Sequence, residues 1–484
     1  MAARNVRQKP LKSAGFPSRA QNGASVAHER QAGRYRPLPT GTHGLDPEVV
    51  KRDQRGRLQQ AMIELIAEKG YPAVRIVDLT KLAHVSQPTF YSLFADKEDL
   101  FLSAYERVAA RTAKTVLRAY EAEPSTDGRL SVGMRAWTEL AAAEPEAISL
   151  LVLGAFGAGA KALERRRLAL DELERRVHAA RSPIAGRGSR TGETADLTVK
   201  AILGGIREIT ATRLREGHAS ELPALAGELA AWAGSYPREA PAGLDAPPAL
   251  GRRAAGGSAA PASERARRAE GRLPSGRSDL PRQFIVKSQR ERIVDATAAI
   301  VAEKGLAALT IPEIVRRANV SNQTFYDIYT SKHDAFLGAQ KVGMHQALMV
   351  AVEAYQAEQD DWPRATRAGL RALVDYLASE PAHAHLSLVD TFAACPEAIE
   401  IRNSTIQAFA AYFGPGYELA GDGVEVPAIA GEAIAGGIWQ VLHHYVENDC
   451  VAELRDAAPQ MTYFALTPFL GPEKAAAYAV EDSA

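Results

Sequence analysis

The stretch that decides the reading is His84-Val85-Ser86-Gln87-Pro88-Thr89-Phe90-Tyr91-Ser92-Leu93-Phe94. It has a counterpart in Asn319-Val320-Ser321-Asn322-Gln323-Thr324-Phe325-Tyr326-Asp327-Ile328-Tyr329. Ahead of the first, Ile76, Leu79, Leu82 and Ala83 recur at helical spacing, as do the apolar residues from Ile311 to Ala318 ahead of the second. A short break and a second short helix follow. Ser86 and Ser321 suit the N-cap of that helix, because a serine oxygen accepts from a backbone N–H that has no helical partner. Pro88 falls where a missing N–H costs nothing. Thr310-x-x-Glu313 predicts a capping box for the preceding helix of the second copy, where the first copy has Arg75, a poor cap. Asn319 suits a turn residue with positive φ; His84 tolerates it less well. Two short helices about a tight turn make a helix-turn-helix.

On a helical wheel Phe90, Leu93 and Phe94 share the face that must be core. Pro88 and Ser92 lie opposite, Thr89 and Tyr91 flank them, and Gln87 stands at the tip. In the second copy the outer set is Asn322, Gln323, Thr324, Tyr326 and Asp327. Amides, hydroxyls and phenols at the start of such a helix are readers of base edges and phosphates. Lys97 and Lys332 follow at the head of the next helix, where a cation and unpaired backbone N–H groups favour a phosphate.

Working outward, the chain repeats. Shifting it by 235 residues matches 54–101 to 289–336 with 19 of 48 positions identical, and Gly204-Gly205-Ile206 recurs as Gly436-Gly437-Ile438. One domain type therefore occurs twice. Composition predicts a disordered basic arm over 1–50 and a flexible linker over 237–283. Between and after them the expectation is an all-α chain. Helix-turn-helix domains span 51–108 and 284–343, and helical regulatory domains span 109–236 and 344–484. Glycines in the 204–205 and 436–437 helices allow the two units to pair closely within one chain; a homodimer of whole chains is the competing assembly.

The net charge of zero, from 58 basic and 58 acidic residues, hides this order. Residues 1–57 carry +8 and 236–292 carry +6, whereas 340–484 carry −13. Basic stretches ahead of each reading unit fit a polyanion partner. They place Arg34, Arg36, Lys51, Arg52 and Arg55 before one unit and Arg277, Arg282, Lys287 and Arg290 before the other. No apolar run is long enough for a membrane span. Two cysteines, Cys395 and Cys450, suit a reducing cytosol, and a cytoplasmic, nucleoid-associated protein is expected.

The pattern Gly70…Ala83-x-Val85-Ser86-x-x-Thr89-Phe90-Tyr91-x-x-Phe94-x-x-Lys97-Glu98-x-Leu100, repeated as Gly305…Ala318-x-Val320-Ser321-x-x-Thr324-Phe325-Tyr326-x-x-Tyr329-x-x-Lys332, resembles the tetracycline-repressor (TetR) family of bacterial regulators. The resemblance implies a DNA-reading domain, a helical ligand and dimerisation domain, a double-stranded operator, and a small-molecule effector that releases DNA. It points to Gln87, Pro88, Thr89, Tyr91, Ser92 and Lys97, and to Asn322, Gln323, Thr324, Tyr326 and Lys332, as DNA contacts. Three departures stand out: two tandem units, His84 or Asn319 where the family's turn has glycine, and unequal reading helices, Gln87-Pro88 against Asn322-Gln323.

The second half is crowded with aromatics, Trp362, Tyr376, Phe392, Phe409, Tyr412, Phe413, Tyr417, Trp439, Tyr445, Tyr463 and Phe464, and is favoured for an effector pocket over the first, which has Trp137, Phe156 and Trp232; most such residues are expected to be core. His383, His385, His443 and His444 lack metal-ligand spacing and are read as helix surface or pocket lining. No nucleophile elbow, P-loop or dinucleotide fingerprint occurs, so no enzyme and no cofactor are expected. The function expected is a sequence-specific, ligand-responsive repressor reading two unlike half-sites. Two other readings fit: a ligand-binding or scaffold protein that kept the fold without DNA, and a low-specificity architectural DNA-binding protein.

Overall fold

The computed structural model describes residues 46–125, 128–154, 158–181, 191–237, 282–391, 395–421 and 425–481, with positions 241 and 244. Arg34, Arg36, Arg277, Phe156, Phe392 and nearly all of the basic arm and the linker lie outside the described residues. The described residues are all-helical. Among them, no helix is long and apolar enough to cross a membrane.

The first reading unit comprises α1 (Pro47–Ala73) up to Leu65, α2 (Ile76–Ala83), α3 (Gln87–Leu93) and the start of α4 (Lys97–Ala122). Helix α1 starts earlier than composition suggested. Asp46 caps it, taking the Glu48 N–H at 2.9 Å, and Pro47 supplies a first-turn residue that needs no N–H. Lys51, Arg52 and Arg55 therefore sit on a helix and not in an arm. The unit closes over Leu58, Met62, Leu79, Phe90, Phe94, Leu100 and Phe101, all buried.

The remaining helices form a second unit that contains the second reader. Helices α5 (Gly128–Ala143), α6 (Pro145–Val152), α7 (Ala160–Arg181), α8 (Thr191–Arg215) and α9 (Ala226–Gly234) belong to the first half. The second reader is α10 (Arg282–Lys304), α11 (Ile311–Ala318), α12 (Asn322–Ile328) and the start of α13 (Lys332–Ala357). Its core is Ile293, Ile300, Leu309, Ile314, Phe325, Tyr329 and Phe336. Then follow α14 (Trp362–Ser379), α15 (Pro381–His385), α16 (Pro396–Ala410), α17 (Gly414–Leu419), α18 (Ala430–Glu447), α19 (Ala458–Leu470) and α20 (Pro472–Val480). Gly70 and Gly305, at φ 74° and 75°, end the regular helix before each helix-turn-helix.

One hydrophobic core joins the two halves. It takes Ile202, Ile206 and Trp232 from the first and Ile434, Ile438, Tyr445, Phe464 and Phe469 from the second. Its centre is the contact of α8 with α18, and that contact is reciprocal. A Cβ on Gly204 would strike Gln440, and one on Gly436 would strike Glu208. A Cβ on Gly205 would strike the Ala433 carbonyl and Trp232; one on Gly437 would strike the Ala201 carbonyl and Phe464. Each pair maps onto the other when Gly204 is laid on Gly436, the signature of a two-fold, isologous interface inside one chain. Arg213 pairs with Glu432 at 3.2 Å across the same seam, and Tyr236 stacks on Phe464 with ring centroids 4.9 Å apart.

A side chain at these glycines must force the helices apart. Gly205→Val is expected to cost about 3 kcal/mol, the upper range for overpacking, read as a lower urea midpoint of the full chain. Gly227→Ala on α9, where a Cβ meets nothing within 4 Å, is the control and leaves the midpoint unchanged or raises it.

Candidate nucleic-acid interface

Both turns are built alike. His84 and Asn319 adopt left-handed backbone, φ 51° and 49°, so histidine does take the strained position. Ser86 Oγ accepts the Thr89 N–H at 3.2 Å, and Ser321 Oγ accepts the Thr324 N–H at 3.0 Å, as the capping argument required. The box expected at Thr310 and Glu313 does not form: the Thr310 side chain makes no cap bond. Glu313 is drawn instead to Arg316 at 2.7 Å and Lys304 at 3.0 Å, whose hydrogen bonds hold its pKa down to about 2. At the poor cap, Arg75, the third helical residue serves: Asp78 Oδ2 takes the Arg75 N–H at 3.3 Å.

Sequence reasoning missed a clamp. Arg57 is buried, bonds Asp53 at 2.9 Å, and donates to the carbonyls of Ala83 and, at 3.1 Å, His84. Arg292 donates to Ala318 and Asn319 at 3.0 and 2.9 Å. These carbonyls end α2 and α11, where a helix has acceptors without partners and favours a cation. The signal was present: Arg57 and Arg292 match at the 235-residue shift.

The reading helices turn their predicted residues outward. Gln87, Pro88, Tyr91 and Ser92 are exposed and Thr89 partly so; Asn322, Gln323 and Tyr326 are exposed and Thr324 partly so. Phe90 and Phe325 are fully buried, whereas Tyr91 and Tyr326 are 58% and 55% exposed. Each tyrosine stands edge-to-face on its phenylalanine, with centroids 5.2 and 5.5 Å apart, which holds the phenol away from the core. Within this set, Ser92 donates to the Thr89 carbonyl at 2.7 Å, and the Gln323 amide donates to Asp327 at 2.9 Å.

Lys97 and Lys332 are half-buried and donate to the carbonyls of Val74 and Leu309, at 2.9 and 3.0 Å. Burial lowers the Lys97 pKa. Their ammonium groups thus fasten the chain before α2 and α11, beside any role toward phosphate. Arg55 and Arg290 lie over the rings of Phe94 and Tyr329, at 4.9 and 5.7 Å.

In the second half, α13, α14, α16 and α18 enclose an apolar cavity of about 70 Å³ lined by Met344, Leu348, Leu373, Tyr376, Phe409 and Trp439. His383 and Ser387 form its polar corner. His383 Nε2 lies 3.2 Å from Asp295 on α10, the first helix of the second reader. The cavity lies where the aromatics crowd, while Trp362, Phe413, Tyr445, Tyr463 and Phe464 are core.

Replacing Arg57 by Leu leaves two carbonyls of the turn without their donor. Opening of the turn is expected to become easier by on the order of tenfold. Faster amide hydrogen exchange confined to the segment from His84 to Ser86 is the readout.

The family model for bacterial regulatory proteins of the tetR family matches residues 60–104 and 293–338, the two readers. Among solved structures, the chain is similar to the transcriptional regulator FadR from Bacillus subtilis in complex with stearoyl-CoA, at 17% identity and TM-score 0.32 over 36% of this chain and 94% of that one. It is similar to the fatty acid degradation regulator FadR from Bacillus halodurans at 16% identity and TM-score 0.33, over 37% of this chain and 92% of that one. It is also similar to a TetR-like transcriptional regulator from Rhodococcus sp. RHA1 at 17% identity and TM-score 0.31, over 39% and 98%. No curated protein matches. The two matched segments share the same cap and turn, and the same arginine clamp lies just ahead of each, so the chain carries two helix-turn-helix domains of the tetR-family type in tandem.

Proposed function

We propose that the chain is a ligand-responsive repressor whose two halves pair within one polypeptide and whose two reading helices recognise unlike half-sites. The observation that carries this reading is the contrast between scaffold and surface. The turn, the clamp and the serine caps repeat, but the outward residues change from Gln87-Pro88 to Asn322-Gln323, with Asp327 added. Gln87 and Asn322 both offer an amide to adenine, yet Asp327 favours a cytosine amino group and disfavours phosphate. Reciprocal packing of α8 and α18 supports an intramolecular pseudo-dimer acting on an operator at the nucleoid.

For the ligand response, the cavity suits a mostly apolar molecule with one polar group directed at His383 and Ser387. Occupation there displaces His383, and the His383–Asp295 contact carries that displacement to α10. A ligand shifts the DNA-bound equilibrium only as far as it prefers one position of that helix.

A gel-shift series with sequence competitors at rising salt tests the reading. Binding that specific competitor removes and random DNA does not is the expected result. Equal competition by any DNA, with a steep salt slope, would indicate an architectural protein, and no shift would indicate a scaffold. Tyr91→Ala is expected to weaken every site about tenfold, while Gln87→Ala alters preference at one position. Footprinting is expected to give an asymmetric operator, and sedimentation the mass of one chain. A strictly symmetric operator, or twice that mass, overturns the intramolecular arrangement.

A further inference from the structure

A second cavity, about 30 Å³, lies between the halves and has the opposite character. It is bounded by α7, α8, α16 and α18, and its lining holds four guanidinium groups, those of Arg166, Arg207, Arg215 and Arg402, against one carboxylate, Glu208. Arg166 and Arg402 are 3% and 4% exposed. Glu208 is committed: Arg402 holds both its oxygens, at 2.7 and 2.6 Å, and Arg215 approaches at 3.4 Å. His443, also in the lining, adds no charge at neutral pH. Burial and then Arg166 push its pKa down to about 3, and its Nδ1 donates to the Leu388 carbonyl at 2.8 Å.

Beyond the lining, Glu447 and Glu174 face inward, Lys200 pairs with Glu174, and exposed Glu400 acts on Arg215. Burial raises the pKa of both Glu447 and Glu174. The positive charge is reduced but not cancelled. Arg207 bears most of the excess: among the described residues it has neither a hydrogen bond nor an ion pair, and burial, then Arg166, pushes its pKa down to about 9. A guanidinium does not give up its proton in a protein. Buried charge of one sign is costly, and a counter-anion removes that cost.

The pseudo-two-fold sharpens the point. Where the first half has Arg207 and Glu208, the corresponding residues of the second are Trp439 and Gln440. Both Trp439 and Gln440 line the same cavity, which therefore straddles the axis with Arg207 and Glu208 on one side and uncharged residues at the matching places on the other.

We propose that this cavity binds a small oxyanion, a carboxylate or a phosphate group, held by Arg166 and Arg207 from the first half and Arg402 from the second. Guanidinium groups match both oxyanions through paired N–H bonds. Since the ligands come from both halves, occupancy fastens them together. The site is distinct from the apolar cavity, from which Trp439 divides it, and does not depend on DNA reading.

Thermal unfolding of the full chain tests it, with sodium phosphate and sodium acetate each titrated against sodium chloride at matched ionic strength. One or both oxyanions are expected to give a saturable rise in Tm on the order of 3 °C at tenfold excess over Kd. The anion that responds identifies the ligand group. Arg207→Met is expected to abolish the rise while its Tm in chloride equals or exceeds that of the unaltered chain. That variant also subtracts general salting effects. Titration calorimetry of both anions into the unaltered chain, expected to give one site per chain, decides the matter if the variant fails to fold. A response no larger than chloride's, an equal response in Arg207→Met, or no binding heat with either anion overturns the proposal.

Discussion

The close approach of α8 and α18 is the constraint on which the regulatory body depends. Gly204, Gly205, Gly436 and Gly437 remove the Cβ atoms that would hold the helices apart, and backbone carbonyls and aromatic rings take their place. Only at that separation do Trp232 and Phe464 meet edge to face, at 6.1 Å, and Tyr236 reach the Phe464 carbonyl at 3.0 Å. Only there can Arg402 reach across to Glu208. The seam is apolar along its centre and ionic at its margin, so apolar burial stabilises it while paired charges fix its register.

The readers follow a different economy. In each, the turn and its flanking helices are fixed by polar bonds to backbone. One arginine holds two carbonyls at the turn, one serine holds the next helix, and one lysine ties the chain ahead of the first short helix. Apart from Thr89 and Thr324, which meet the capping serines, these bonds involve no outward residue of α3 or α12. The exposed face can therefore change without disturbing the support, which is what the two copies display.

The helix-turn-helix units were legible in sequence because apolar spacing, caps and repetition all pointed to one answer. The glycine pairs were legible for a similar reason, since they recur at matching places in predicted helices. What stayed hidden was the destination of long polar side chains. Arg57 reads as one more basic residue near a DNA-binding motif, yet it is buried against a turn. Glu313 had the right spacing from Thr310 but stronger partners in Lys304 and Arg316, and a local motif gave way to charge pairing. The arginine cavity draws on positions 166, 207, 215 and 402, which no local pattern connects. His443, read as helix surface or pocket lining, belongs to that cavity and is buried there.

In the intramolecular pairing proposed above, both faces of the α8–α18 seam lie on one polypeptide, and their meeting is a unimolecular event. A separate pair of subunits dissociates as it is diluted, and its readiness to act depends on how many copies a cell makes. Here the tether sets the local concentration of one face around the other, whatever the bulk concentration. A regulator made this way keeps the same fraction of paired molecules at the lowest copy number as at the highest.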